Sequence, residues 1–198
     1  MRAAIGFRVK SGWASAVLVG SPIEAPKVLD QRAIDLCDPA IPESRQPYHA
    51  RMGKLETDEA KIERRRRVVI EAANRSVSEL VKNYREVGYQ VCGAGLVVGS
   101  QIDPAKITNP HIRAHALEGR LFRTVLEDAL ASCELRAMVI AERNVYTQVA
   151  EVLDRPEAKL KRLVTELGRA LDGPWRADEK TATLAALLAL AARPKQRH

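Results

Sequence analysis

Short apolar runs dominate the start of the chain and predict three strands. Residues 3–9 and 13–19 are apolar and are joined by Lys10-Ser11-Gly12, which predicts a β-hairpin with a glycine in its turn. Residues 27–36 form a less regular apolar run and predict a third strand. Residues 38–47 contain three prolines, so we expect a loop there.

The spacing of apolar residues changes to three and four from about Leu55 to Val87, which predicts a long helix that ends at Gly88. Residues 89–98 are almost continuously apolar, which is typical of a strand covered on both faces. Two further elements follow that strand. They are a helix from Pro110 to about Cys133, with Asn109 as N-cap, and a strand at 136–141.

The C-terminal part of the chain is predicted to be helical. A leucine-rich stripe marks a helix at 157–171, and an almost pure Ala/Leu stretch marks another at about 178–192. A helix that is apolar nearly all round is buried or forms an interface. We expect packing against the sheet, with a homodimer interface as the alternative.

Composition indicates one globular domain, residues 1–192, followed by a basic tail at 193–198. The chain has 198 residues, of which 46% are hydrophobic and 29% charged, and a net charge of +7. The positive excess suits an anionic partner. Three widely spaced cysteines argue against a disulfide scaffold or a zinc knuckle. No stretch is apolar enough for a membrane span or a signal peptide, so we expect a cytoplasmic protein.

The order of predicted elements, β-β-β-α-β-α-β-α, resembles the ribonuclease H-like superfamily. Two local similarities support this resemblance. Ile5-Gly6-Phe7-Arg8 through Gly12-Trp13-Ala14 is similar to the first hairpin of RuvC-type resolvases, and Ala177-Asp178-Glu179 resembles the start of the family's last helix. The resemblance implies an α/β fold with a mixed five-stranded sheet, three antiparallel strands followed by two parallel ones, flanked by helices.

The nucleases of this family carry one Asp on strand one, an acid near the end of strand four and one or two acids on the last helix. These carboxylates hold two divalent metals for phosphoryl transfer. Here the strand-one position is Phe7 or Arg8, and strand four ends in Val98-Gly99-Ser100 without an acid. Only Asp178 and Glu179 match the last-helix acids. The resemblance therefore implies the fold, and the substitutions argue against a two-metal nuclease.

Several basic residues are candidates for contacts with an anion. Ligands of open sheets bind at the carboxyl ends of strands beside the point where strand order reverses, which would gather Arg8, Lys10 and Ser100 near the Pro110 helix. The run Arg64-Arg65-Arg66-Arg67 spreads around its helix. Either it is a solvated, salt-bridged surface, or Arg64, Arg65 and Arg67 contact phosphates.

Histidines are the candidate metal ligands. His111 and His115 are four residues apart on one helical face, a spacing that can hold a transition metal, with Glu118 as a third ligand or base. The alternative is that His115 faces the core and His111 caps the helix. His49 and Arg51 follow the proline-rich loop and either act on a phosphate or are simply exposed.

The leading functional hypothesis is a non-nucleolytic protein that binds nucleic acid or another phosphate-bearing partner and needs no cofactor. The second is a divergent nuclease that uses Mg²⁺ or Mn²⁺ with Glu118, Glu142 and Asp178. The alternative for Glu142 is an ordinary loop residue, and for Asp178 a helix N-cap. The third hypothesis is an interaction protein that dimerises through the last helix.

Overall fold

The computed structural model describes residues 1–50, 53–171 and 173–192. Arg51 and the basic tail at 193–198 lie outside the described residues. Across the described ranges, no helix is long and apolar enough to cross a membrane.

Five strands form one mixed sheet in the order β3-β2-β1-β4-β5. β1 pairs antiparallel with β2, β2 pairs antiparallel with β3, and both β1–β4 and β4–β5 are parallel. This arrangement confirms the predicted fold class. The strands are β1 (Arg2–Lys10), β2 (Trp13–Gly20), β3 (Lys27–Asp35), β4 (Gln90–Val98) and β5 (Ala137–Ala141).

The helices are close to their predicted positions, with shorter ends. α1 starts later than expected because the Asp58 side chain accepts a hydrogen bond from the Lys61 backbone N–H and caps the helix there. The predicted helix at 157–171 ends at Leu167 and is followed by a short 3-10 turn. The helices are α1 (Glu59–Glu86), α2 (Pro110–Ser132), α3 (Val145–Leu153), α4 (Glu157–Leu167) and α5 (Ala177–Ala191).

Both faces of the sheet are covered, as the apolar run of β4 predicts. α1 and α2 cover one face, where Phe7, Leu96 and Phe122 are fully buried together. α5 covers the other face with α3 and α4 beside it, and its residues Thr181–Leu190 are all buried. Alternation along β1 follows from the two-residue period of a strand, so Phe7 faces α1 and α2 whereas its neighbours Gly6 and Arg8 face α5.

Glycines allow α5 to approach the sheet unusually closely. A Cβ atom on Gly6 would overlap the carbonyl oxygen of Ala182, and one on Gly95 would overlap that of Ala185. The α5 surface that suggested a dimer interface is already buried within its own chain, which corrects that alternative: in the described residues this helix has no free apolar face to offer a second copy.

Candidate functional site

The site starts at the carboxyl end of β1, where the alternation of the strand turns Arg8 toward the N-terminus of α5. Arg8 lies opposite Val97 of β4 in the parallel register. Its side chain is only 7% exposed, which is rare for arginine and requires compensating partners. Backbone carbonyls supply two of them, because Nη1 donates to Val9 O at 2.9 Å and to Val97 O at 3.5 Å.

Two carboxylates neutralise the buried guanidinium. Nη2 of Arg8 donates to Glu142 Oε2 at 2.5 Å, and its Nε lies 3.9 Å from Asp178 Oδ1. Lys10 Nζ approaches the same Asp178 oxygen at 2.9 Å. Glu142 opens the short 3-10 helix that follows β5, so three strand ends and one helix meet here.

Asp178 is not the N-cap of the last helix, as one alternative had it. The cap residue is Arg176, whose backbone N–H donates to Glu179 Oε2 at 2.7 Å. Asp178 is the second residue of α5, so its carboxylate is available to Lys10 and Arg8. Glu179 also accepts a hydrogen bond from Ser15 Oγ at 3.4 Å, which connects α5 to β2.

Of the two residues that the resemblance places at the family's strand-one acid, Phe7 is buried among apolar side chains and Arg8 is held by two carboxylates. Arg8 and Lys10 face Glu142 and Asp178, so two positive and two negative side chains form one compact ion-pair network. A guanidinium between two carboxylates takes the electrostatic position of a bound metal ion. A metal ion could bind these two carboxylates only by displacing Arg8 or Lys10 from them.

A cleft of about 430 Å³ opens beside this network, between the loop after β4 and the exposed N-terminal part of α2. It brings together Arg8, Lys10 and Ser100, three of the residues singled out as anion contacts, and its far wall includes His115. Three lining residues, Ser100, Ile102 and Ala116, are shared with a second depression of about 230 Å³, which Arg120 and Arg123 line. The two depressions therefore adjoin as one groove, with Arg8 and Lys10 at one end and Arg120, Arg123 and the carboxylate of Asp103 at the other.

A second polar cluster lies behind that wall, around Glu118. This carboxyl is fully buried and Oε1 accepts from His49 Nδ1 at 2.7 Å. Its other oxygen, Oε2, lies 3.7 Å from His115 Nδ1. Burial raises the pKa of the Glu118 carboxyl, and the hydrogen bond from His49 offsets part of that rise.

The two alternatives for the histidines are wrong. Asn109, not His111, caps α2, because its side chain accepts from Ile112 N at 3.1 Å. His115 is exposed rather than core-facing, since the buried face of α2 begins with Ala114 and Glu118. Burial together with the adjacent His49 and His111 lowers the pKa of His115.

Glu118 is separate from the other two acids proposed for a nuclease. Glu142 and Asp178 meet at Arg8, whereas the polar contacts of Glu118 are with histidines. Among the described residues, the acids form no group of three ligand atoms close enough to share one metal ion.

The arginines of α1 divide by role. Arg65 is 12% exposed and its Nη1 donates to Pro47 O and His49 O, both at 3.2 Å. It also pairs with Glu56 at 3.4 Å, so it fixes the loop that carries His49. Arg67 pairs with Glu63 as the i,i+4 spacing predicts, whereas Arg64 is exposed. Arg64 and Arg67 thus stay on the surface.

His49 is the residue of this region whose partners sequence reasoning missed. It stands 62 positions before His111 and no motif connects the two. The one local feature is Gly53, in the loop that follows His49. Its φ of 72° favours glycine, and its carbonyl oxygen lies 2.8 Å from His111 Nδ1.

Comparison with known proteins places the fold. No protein-family model and no curated protein matches the sequence. Among solved structures, Thermus thermophilus RuvC in complex with a Holliday junction substrate matches with a TM-score of 0.55 and 10% identity, over 94% of this chain and 91% of that chain. The Thermus thermophilus RuvC structure gives 0.53 and 10%, over 93% and 91%. The yeast mitochondrial resolvase Ydc2 gives 0.47 and 8%, over 95% and 77%.

The RuvC matches cover more than nine tenths of both chains. At 10% identity the similarity concerns the fold alone. The resemblance expected from the hairpin and the last helix is confirmed at that level: this chain has a ribonuclease H-like fold of the RuvC type.

Proposed function

We propose that this protein is a non-nucleolytic member of its fold that binds nucleic acid along the groove between the loop after β4 and α2. The observation that carries the proposal is Arg8. A buried guanidinium held by Glu142 and Asp178 stands where the resemblance calls for a metal-binding aspartate.

The groove supports the binding half of the proposal by its position and its lining. It lies at the carboxyl ends of β1 and β4, where strand order reverses and ligands of open sheets bind. Lys10 is 34% exposed at one end, and Arg120 is exposed at the other. Two separated cations suit a ligand that carries phosphates at intervals.

Apolar side chains line the middle of the groove. Ile102 and Ile112 are both exposed, at 62% and 54%, and both line the larger cleft. Sugar and base surfaces of a nucleic acid would cover such residues while phosphates contact the flanking cations. The chain's net charge of +7 adds a long-range attraction that salt screens.

The test is a salt series of binding measurements with labelled single-stranded, duplex and four-way DNA and RNA. Arg120→Ala and Lys10→Ala are compared with Arg162→Ala, whose side chain is exposed on α4 at the other face of the sheet. Losing one phosphate contact should weaken binding and reduce the slope of log K against log salt by about 1. We expect that change for Arg120→Ala and no change for Arg162→Ala.

Two results would overturn the proposal. One is the absence of salt-dependent binding to any of these nucleic acids, and the other is equal binding by Arg120→Ala and Arg162→Ala. Chelator-sensitive cleavage that Glu142→Gln and Asp178→Asn abolish would instead establish the divergent nuclease.

A further inference from the structure

We propose that His49, His111 and His115 form a binding site for one transition-metal ion of the zinc class, with Glu118 as the group that orients the ligands. The three histidines offer ligand nitrogens that all lie within 4.8 Å of one another. This site is separate from the Arg8 network and does not depend on nucleic-acid binding.

The orientation of the three rings is the first argument. Each Nδ1 faces an oxygen: that of His49 faces Glu118 Oε1 at 2.7 Å, that of His111 faces Gly53 O at 2.8 Å, and that of His115 faces Glu118 Oε2 at 3.7 Å. An oxygen within hydrogen-bond distance of Nδ1, as at His49 and His111, favours the tautomer with its proton there. The Nε2 lone pairs are then left as the available ligands.

The positions of the Nε2 atoms are the second argument. Nε2 of His111 and Nε2 of His115 are 3.2 Å apart. Two nitrogens bound tetrahedrally to zinc at its usual bond length stand about 3.3 Å apart. The ring centroids lie 4.4 to 5.2 Å from one another with interplanar angles of 57° to 81°, so the rings surround a point rather than stack.

An unsatisfied buried atom is the third argument. Within the described residues, His49 Nε2 has no hydrogen-bond partner although it is buried. Native proteins rarely leave a buried polar atom without a partner. A metal ion between the three rings would satisfy this nitrogen.

Glu118 completes the arrangement as a supporting carboxylate. It is fully buried on α2, one turn from His115, and its two oxygens contact two of the three ligand rings. Metal-bound histidines commonly donate their second N–H to a carboxylate or a backbone carbonyl, which fixes ring orientation and raises basicity. Here the carboxylate is hydrogen-bonded to His49 and the Gly53 carbonyl to His111, whereas His115 Nδ1 lies 3.7 Å from Glu118 Oε2, beyond hydrogen-bond distance.

The ligand set selects the metal. Imidazole nitrogens suit zinc, copper, nickel and iron, whereas magnesium, manganese and calcium prefer oxygen donors. Three protein ligands leave one position of a tetrahedral ion for water or a ligand, as in catalytic rather than structural zinc sites. His115 also lines the groove, so the ion would stand beside the proposed nucleic-acid path.

The experiment uses the full chain, prepared without a polyhistidine tag and stripped of metal. Co²⁺ is titrated while the visible absorption of tetrahedral cobalt is recorded, and Zn²⁺ is then added in competition. We expect one ion per chain. His111→Ala and His115→Ala replace exposed residues and keep the fold, so they should abolish the cobalt spectrum.

A matched control is available because the chain has four histidines. His198, which lies outside the described residues, is replaced in His198→Ala to account for binding by a lone surface imidazole. Glu118→Gln should weaken metal affinity about 10- to 100-fold, the range typical of supporting ligands. Circular dichroism of each variant separates loss of metal from loss of fold.

The proposal is overturned if the wild type binds no Zn²⁺ or Co²⁺ at micromolar concentration. It is also overturned if His111→Ala and His115→Ala bind as well as wild type, or if only His198→Ala loses the metal. None of these results bears on nucleic-acid binding, which is measured separately in the presence of a chelator.

Discussion

Replacing Arg8 by methionine removes the buried guanidinium while keeping an unbranched side chain of similar length. The change leaves Glu142 and Asp178 facing each other without their shared cation and releases the carbonyls of Val9 and Val97. Breaking a fully buried ion pair costs about 3–5 kcal/mol. The Glu142 side chain is 48% exposed and that of Asp178 is 28% exposed, so water rehydrates both and reduces this cost.

We therefore expect Arg8→Met to lower the free energy of unfolding by about 2–3 kcal/mol, most of it from hydrogen bonds made by the charged donor. The assay is urea denaturation followed by far-UV circular dichroism. Arg162→Met, at an exposed position of α4, is the control, and its free energy of unfolding should stay within about 0.5 kcal/mol of the wild-type value. A double-mutant cycle with Glu142→Gln should show coupling of about 0.5–3 kcal/mol, because the two groups are in contact.

A free energy of unfolding of Arg8→Met equal to or greater than that of the wild type would contradict this prediction. That result would mean that the network contributes no stability and that an apolar side chain replaces it without loss. Zero coupling in the cycle would show that Glu142 does not hold the guanidinium.

Three further predictions concern packing, the arginines of α1 and pH. Gly6→Ala should destabilise the fold by about 3 kcal/mol or more, since its methyl group meets the α5 backbone, whereas Gly119→Ala on open helix surface should stabilise it by about 0.5–1 kcal/mol in the same urea assay. Arg65→Ala should cost about 1–3 kcal/mol through its three lost oxygen partners, while Arg64→Ala should leave the melting temperature unchanged. Burial would raise the pKa of Asp30, but hydrogen bonds from an arginine and a tyrosine outweigh it and lower that pKa. The stabilisation is therefore present above about pH 4 and lost as pH falls through the lowered value, so Asp30→Asn should flatten the acid limb of the stability–pH curve, and identical curves would contradict the assignment.

The fold was predictable because the pattern of residues within each segment predicts its secondary structure. The two-residue period of β1, the apolar run of β4 and the Ala/Leu composition of α5 are properties of contiguous residues. The resemblance of the first hairpin to a known one likewise indicated a departure from the family's pattern at Phe7 or Arg8.

The site was less predictable because its contacts join distant parts of the chain. His49 reaches Glu118 across 69 positions, and no spacing rule connects them. The alternative that His115 faces the core also failed, because the N-terminal turns of α2 are exposed at Ile112 and His115. The burial of Glu118 could not be predicted from the sequence, because the histidine that compensates its carboxyl comes from a distant part of the chain.

We propose that Arg8 occupies the position of the family's strand-one acid and that the protein binds nucleic acid without cleaving it. The most direct measurement incubates the wild-type chain with labelled junction, duplex and single-stranded substrates in Mg²⁺, Mn²⁺ or chelator, and records bound and cleaved fractions from the same samples. We expect binding that weakens as the salt concentration rises, and intact substrate in Mg²⁺, in Mn²⁺ and in chelator. Cleavage that requires the divalent ion and disappears in Glu142→Gln or Asp178→Asn would contradict it.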